Sequence, residues 1–190
     1  MKAAIFLPVD YHIHNFMRAL AVEIHQKYQT GLHAASFPPH ITLKLPFRLS
    51  NLADLEPYFD HLAASTSPLE IALTRLELQA TAVGGAERGV LWLAVQESRD
   101  LRELHHRINQ ELVERFEDTQ AAYDGPDFKF HATLAVGGQP MEVYQRIYAE
   151  YKDISVDLRY VATQIGLAYS DCDATAGFIT YRIMPLGEKA

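Results

Sequence analysis

The 190-residue chain contains a single cysteine, Cys172, so no internal disulfide can form and no thiolate cluster can hold a metal. Basic residues are scarce. The 17 Lys and Arg stand against 24 Asp and Glu, a formal net charge of −7, and no basic run occurs. Binding along a nucleic-acid backbone depends on Lys and Arg displacing counterions, so no extended nucleic-acid groove is expected. Positive charge for a small nucleotide or an RNA end has to be local. No apolar run approaches the roughly 18 residues that suggest a membrane span. The short apolar start Ile5-Phe6-Leu7-Pro8 soon meets Asp10 and His12 and reads as a strand, not a signal peptide. These features point to a cytoplasmic protein with no membrane partner. There is no glycine-rich phosphate loop of the Walker or Rossmann kind and no His-Glu-x-x-His.

What the chain does contain is a tetrapeptide that nearly repeats: His40-Ile41-Thr42-Leu43 and His131-Ala132-Thr133-Leu134. Each copy lies in an extended apolar stretch. Alternate side chains of a strand share a face, so each copy presents an imidazole and a hydroxyl on one side and two apolar side chains on the other.

The surrounding order repeats too. Residues 2–9 read as a buried strand, followed by helical spacing of Ile13, Phe16, Met17, Leu20, Ala21, Ile24 and Tyr28, with Gly31 just past the end. Residues 40–47 form a strand, and a helix occupies part of 51–64, starting near Glu56 because Pro57 would break its middle. Leu69, Ile71 and Leu73 alternate before the phase slips to Leu76 and Leu78, which predicts a strand with a bulge. After the punctuation Gly84-Gly85-Ala86-Glu87-Arg88-Gly89 the order starts again: strand 90–95, a helix over 98–118 capped by Ser98, strand 130–136, and a helix after Pro140. Strands at about 154–169 and 177–185, joined by a turn through Asp171–Ala176, end the chain. The reading is α+β: one domain of two pseudo-symmetric lobes, approximately 1–83 and 90–190. Each lobe is an antiparallel-rich sheet with helices on its outer face, strands can exchange between lobes, and the active-site cleft lies between them.

The paired His-x-Thr motifs, in this order and over nearly the whole chain, resemble the 2H phosphoesterase superfamily, whose RNA 2′,3′-cyclic phosphodiesterases are also called 2′–5′ RNA ligases. Lys2–Pro8 is similar to the family's first strand, Phe37-Pro38-Pro39-His40-Ile41-Thr42-Leu43 to its first motif, Val90–Leu93 to the strand opening its second lobe, and Phe130–Leu134 to its second motif. Many members carry a basic residue soon after the second motif, where this chain has Val136-Gly137-Gly138. The resemblance implies hydrolysis of a 2′,3′-cyclic phosphate to a 2′-phosphate with no metal or cofactor, and a monomer that acts on a small nucleotide or RNA end. A different small cyclic phosphate, a 2′–5′ linkage including RNA ligation, or a nucleotide- or RNA-binding module without turnover are the alternatives.

Two imidazoles flanking one phosphorus can activate water and protonate the leaving oxygen together, and a histidine pKa of roughly 6.5 keeps both proton states accessible. The expected catalytic residues are therefore His40, Thr42, His131 and Thr133, with the hydroxyls donating to non-bridging oxygens. We take His131 as the base and His40 as the acid, although the near-symmetry of the motifs does not fix the direction. Substrate-binding candidates are Lys44, which shares Thr42's face in a regular strand, Arg88 for charge, and Tyr11, Phe37 and Tyr123 for stacking on a base. Lys129 is left outside the site. His12 and His14 read as exposed loop histidines, His105 and His106 diverge on a helix, and the acidic residues of 98–118 form its wet face.

Overall fold

The computed structural model describes residues 1–83, 86–117, 119–121, 123–171 and 177–187. The Gly84-Gly85 punctuation and most of the turn through Asp171–Ala176, Cys172 included, lie outside the described residues. The strands are β1 (Lys2–Pro8), β2 (His40–Arg48), β3 (Leu69–Val83), β4 (Ala86–Val95), β5 (His131–Pro140), β6 (Leu158–Ala162), β7 (Gln164–Ser170) and β8 (Ile179–Pro185). The helices are α1 (Tyr11–Tyr28), α2 (Glu56–Ser65), α3 (Arg99–Arg115) and α4 (Met141–Tyr151).

Local chemistry sets these boundaries. Asp10 caps α1 by accepting from the Ile13 amide at 2.8 Å, and Ser98 caps α3 by accepting from Leu101 at 3.2 Å. Pro57 sits in the first turn of α2, where its missing N–H costs nothing. His12 and His14 belong to the first turn of α1, not to a loop.

The strands form two four-stranded antiparallel sheets, ordered β2-β1-β7-β8 and β5-β4-β3-β6. The stretch expected as one strand over 154–169 is two strands in different sheets, separated by Thr163. The predicted slip in β3 is a register shift between Leu73 and Arg75 against β4. The helices cross over. α1 follows β1 but packs on β5, while α3 follows β4 but packs on β2; α2 covers β7 and β8, and α4 covers β3, β4 and β5. Each motif strand is therefore backed by a helix from the other half of the chain. One apolar core runs through both sheets, including Ile5, Leu7, Ile41 and Leu43 on one side and Leu91, Leu93, Ala132 and Leu134 on the other. Among the described residues no helix is long and apolar enough to cross a membrane.

The two sheets also share an irregularity. On β2, Thr42 pairs with Phe6 but Lys44 already pairs with Ile5; on β5, Thr133 pairs with Trp92 but Ala135 already pairs with Leu91. One extra residue is thus inserted immediately after each threonine, a β-bulge at the same position in both motifs. Matching bulges, motifs and strand orders relate β2 to β5, β1 to β4, β7 to β3 and β8 to β6.

Candidate active site

His40 and His131 are the first residues of β2 and β5, and each is anchored in the same way. The Nδ1 of His40 lies 2.8 Å from the Pro38 carbonyl oxygen, and the Nδ1 of His131 lies 2.8 Å from the Lys129 carbonyl oxygen. A carbonyl oxygen only accepts, so Nδ1 carries the hydrogen in both rings. The neutral imidazoles then hold their free lone pair on Nε2, and neither Nε2 has a protein partner among the described residues. The rings are partly buried, and burial pushes the pKa of both below the ordinary histidine value, opposed by each backbone carbonyl. His131 is also near enough to His40 to disfavour a charge there, while Glu77 favours a charge on His131.

Aromatic residues fix the rings. Phe6 and Phe37 meet His40 nearly perpendicularly, with centroids 5.3 and 4.9 Å away. Trp92 stacks on His131 at 4.2 Å and 23°. Thr42 and Thr133 are half-buried two residues further on, and among the described residues neither hydroxyl donates to the protein.

An open cleft of about 1060 Å³ runs along the second sheet, lined by His131, Thr133, Trp92, Gln79, Tyr123 and Lys129 among others, with Leu45 of β2 closing one side. Of the expected binding residues the structure brings Tyr123 there, 79% exposed. It does not bring the others. Lys44 is fully buried, its Nζ paired with Asp124 and donating to Asn109 Oδ1 at 2.7 Å. The bulge after Thr42 swings Lys44 inward and sends Leu45 to the cleft, just as Ala135 is buried and Val136 lines the cleft on β5. Phe37 is occupied with Phe6 and His40. Tyr11 is exposed at the start of α1, and Arg88 is close enough to buried Tyr144 for its charge to oppose the rise of that phenol to about 12; neither lines the cleft.

Lys129, left outside on sequence grounds, does line the cleft, and among the described residues it is the only Lys or Arg that does. Its place two residues before His131 is the signal that could have found it. Trp92 and Glu77, which support His131, carry no motif. No group of three or more potential metal ligands occurs among the described residues.

This arrangement of two antiparallel sheets with a His/Thr strand at matching places defines a class of fold, that of the 2H phosphoesterases. The sequence profile of the 2′-5′ RNA ligase superfamily matches residues 9–173, and the chain belongs to that superfamily. A protein of Geobacillus thermodenitrificans (strain NG80-2) named "Putative phosphoesterase" is 27% identical over 124 residues, and the match covers 63% of each chain. Among solved structures, TT0787 of Thermus thermophilus superposes with a TM-score of 0.71 at 15% identity, each chain fully covered. E. coli LigT complexed with 3′-AMP gives 0.57 at 13% identity over 97% of each chain, and Kluyveromyces marxianus Usb1 gives 0.51 at 14% identity over 97% of this chain and 98% of its own. At these identities the likeness concerns the fold.

Proposed function

We propose that the protein is a phosphodiesterase that opens a 2′,3′-cyclic phosphate at a nucleotide or RNA end to a 2′-phosphate, with His40 and His131 as its acid–base pair. The carrying observation is the twofold anchoring: both rings are held through Nδ1 by a carbonyl two residues upstream, which leaves two matched Nε2 atoms free to exchange protons. One Nε2 takes a proton from water as its oxygen attacks phosphorus. The bond from phosphorus to the 3′ oxygen breaks, and that oxygen takes its proton from the other Nε2–H. Each such proton transfer contributes about 10²–10⁴-fold. Thr42 and Thr133, set on the same strands, donate to the non-bridging oxygens. Lys129 supplies the local charge, while Glu87 and Asp127 on the cleft wall disfavour a long polyanion. No metal is needed in this scheme.

The deciding experiment is hydrolysis of the four 2′,3′-cyclic mononucleotides in chelator, with product isomers read by phosphorus NMR, for the protein, His40→Ala and His131→Ala. Severe loss in both variants and a 2′-phosphate product are expected. Full turnover by either single variant would sink the reading. The superfamily's name favours a second use of the same site, the joining of a 2′-phosphate end to a 5′-hydroxyl, in which the two imidazoles exchange roles.

A further inference from the structure

The two imidazoles are equivalent in their anchors and unequal in what stands behind them. The strand register makes Phe6 and Trp92 counterparts, one opposite Thr42 and the other opposite Thr133. On the next strand, Phe6 is paired with Gly166, and Trp92 with Glu77. A Cβ on Gly166 would lie 2.2 Å from Phe6 Cζ, so in the first sheet the phenyl ring itself fills the space that a side chain at this position would take. In the second sheet the same place holds a carboxylate. Glu77 Oε2 accepts from the Trp92 indole Nε1 at 3.0 Å, and Glu77 Oε1 is ion-paired with Arg75. The second sheet thus carries a carboxylate–indole–imidazole stack, and the first a glycine–phenyl–imidazole one.

We propose that Glu77 and Trp92 are positioning residues that make His131 the imidazole that holds the proton when the cyclic phosphate binds, leaving His40 to take a proton from water. An indole whose N–H is held by a carboxylate presents an electron-rich face, and a cation over such a face is stabilised. The bond also locks the indole in the plane that stacks on His131. His40 is met instead by two phenyl rings, and behind Phe6 stands Gly166 where Glu77 stands behind Trp92. A charge on His131 in turn opposes a second charge on His40, so the pair holds one proton before it holds two. The other charged and titratable groups around His131 are Arg75 on β3, Glu87 on β4, Tyr123, Asp127 and Lys129 in the segment before β5, and His40 on β2. In hydrolysis His40 Nε2 accepts the water proton, the phosphorus–3′-oxygen bond breaks, and His131 Nε2 gives its proton to the departing oxygen. This order is opposite to the one expected from the sequence, and it rests on the function proposed above.

The test is the proton affinity of each imidazole by NMR titration of the ligand-free protein, together with the pH profile of kcat/KM. Glu77→Gln keeps an acceptor for the indole and removes the charge; Trp92→Phe keeps a ring and removes the donor. In both, the His131 titration and the alkaline limb of the profile are expected to move about 0.3–1 pH unit toward acid, with the His40 titration and the acid limb moving less. The double variant should shift at least as far as either single one but by less than their sum, because the carboxylate acts partly through the indole and partly by its own charge. Arg75→Ala, which frees the Glu77 charge, should shift His131 the other way, a response that a merely structural role would not produce. An unmoved His131 titration in Glu77→Gln, or equal movement of both imidazoles, overturns the proposal. If the wild-type protein turns over no cyclic phosphate, the functional reading fails, while the ligand-free titration still judges the role of Glu77.

Discussion

Lys44 and Asp124, 80 residues apart in the chain, form a buried ion pair beneath the cleft. Asp124 also accepts from the backbone amides of Leu45 at 3.3 Å and Ala121 at 3.2 Å, and Lys44 Nζ reaches Asn109 on α3. The pair therefore ties β2 and α3 to the segment that carries Tyr123, Asp127 and Lys129 over the site. Lys44→Met should leave a buried carboxylate unpaired and cost about 3–5 kcal/mol, whereas Lys44→Met with Asp124→Leu should recover much of that loss. Urea unfolding of the four members of this cycle measures both. In the surviving single variant KM should rise more than kcat falls, because the segment presents the substrate's surroundings and not the reacting nitrogens. A fully stable Lys44→Met protein would contradict the clamp.

Why the sequence misplaced Lys44 but located His40 and Thr42 has a physical answer. Alternation places residues on strand faces only while the ladder is regular, and the bulge falls immediately after Thr42, so everything up to it is legible and the next residue is not. The slip at Leu73–Arg75 was visible because it moves leucines, whose phase is itself the signal; the slip after Thr42 moves a lysine inward against its own chemistry. Caps were equally readable, because Ser98 and Pro57 act on their nearest neighbours. Sheet membership was not. The apolar pattern of 158–170 is continuous through Thr163, and only long-range pairing assigns β6 to one sheet and β7 to the other. Trp92 and Glu77 escaped notice for the same reason: their relation to His131 is cross-strand, with no spacing along the chain to betray it.

The two threonine hydroxyls make a cleaner test of the site than its histidines. Neither donates to the protein among the described residues, so Thr42→Val and Thr133→Val keep the strand shape and remove only a potential donor. Each should lower kcat by about 10²-fold while the melting temperature stays within a degree or two. Wild-type turnover in both variants would show that the hydroxyls do not meet the phosphate.

Gly166 is expected to matter although it touches no substrate. Its missing side chain lets the Phe6 ring lie against β7, and that ring packs 5.2 Å from Phe37 and 5.3 Å from His40. Phe6 is 2% exposed and cannot swing away into solvent. Gly166→Ala should therefore cost about 1–3 kcal/mol from overpacking and, by displacing Phe6, lower kcat as His40 loses its wall. An activity loss without any change in the aromatic NMR shifts of Phe6 and Phe37 would contradict this route.

His105 on α3 sets a stability effect of known sign. It is fully buried, stacked on Phe128 at 4.4 Å, and neither ring nitrogen has a hydrogen-bond partner among the described residues. Burial, aided by the Arg102 charge and opposed by Asp124, pulls its pKa down to about 4 from 6.5. Between those values the unfolded chain binds the proton and the folded protein does not, so stability must fall as the pH drops from 6.5 toward 4 and level off below. The loss from this residue is at most about 3 kcal/mol. His105→Phe removes both unpaired nitrogens and the titration. At pH 7 it should stabilise the protein by about 1 kcal/mol, and the gap over wild type should widen as the pH falls to 4.5. Urea midpoints at pH 7, 5.5 and 4.5 measure the gap. A constant difference across that range would mean that His105 takes up its proton without opening the core.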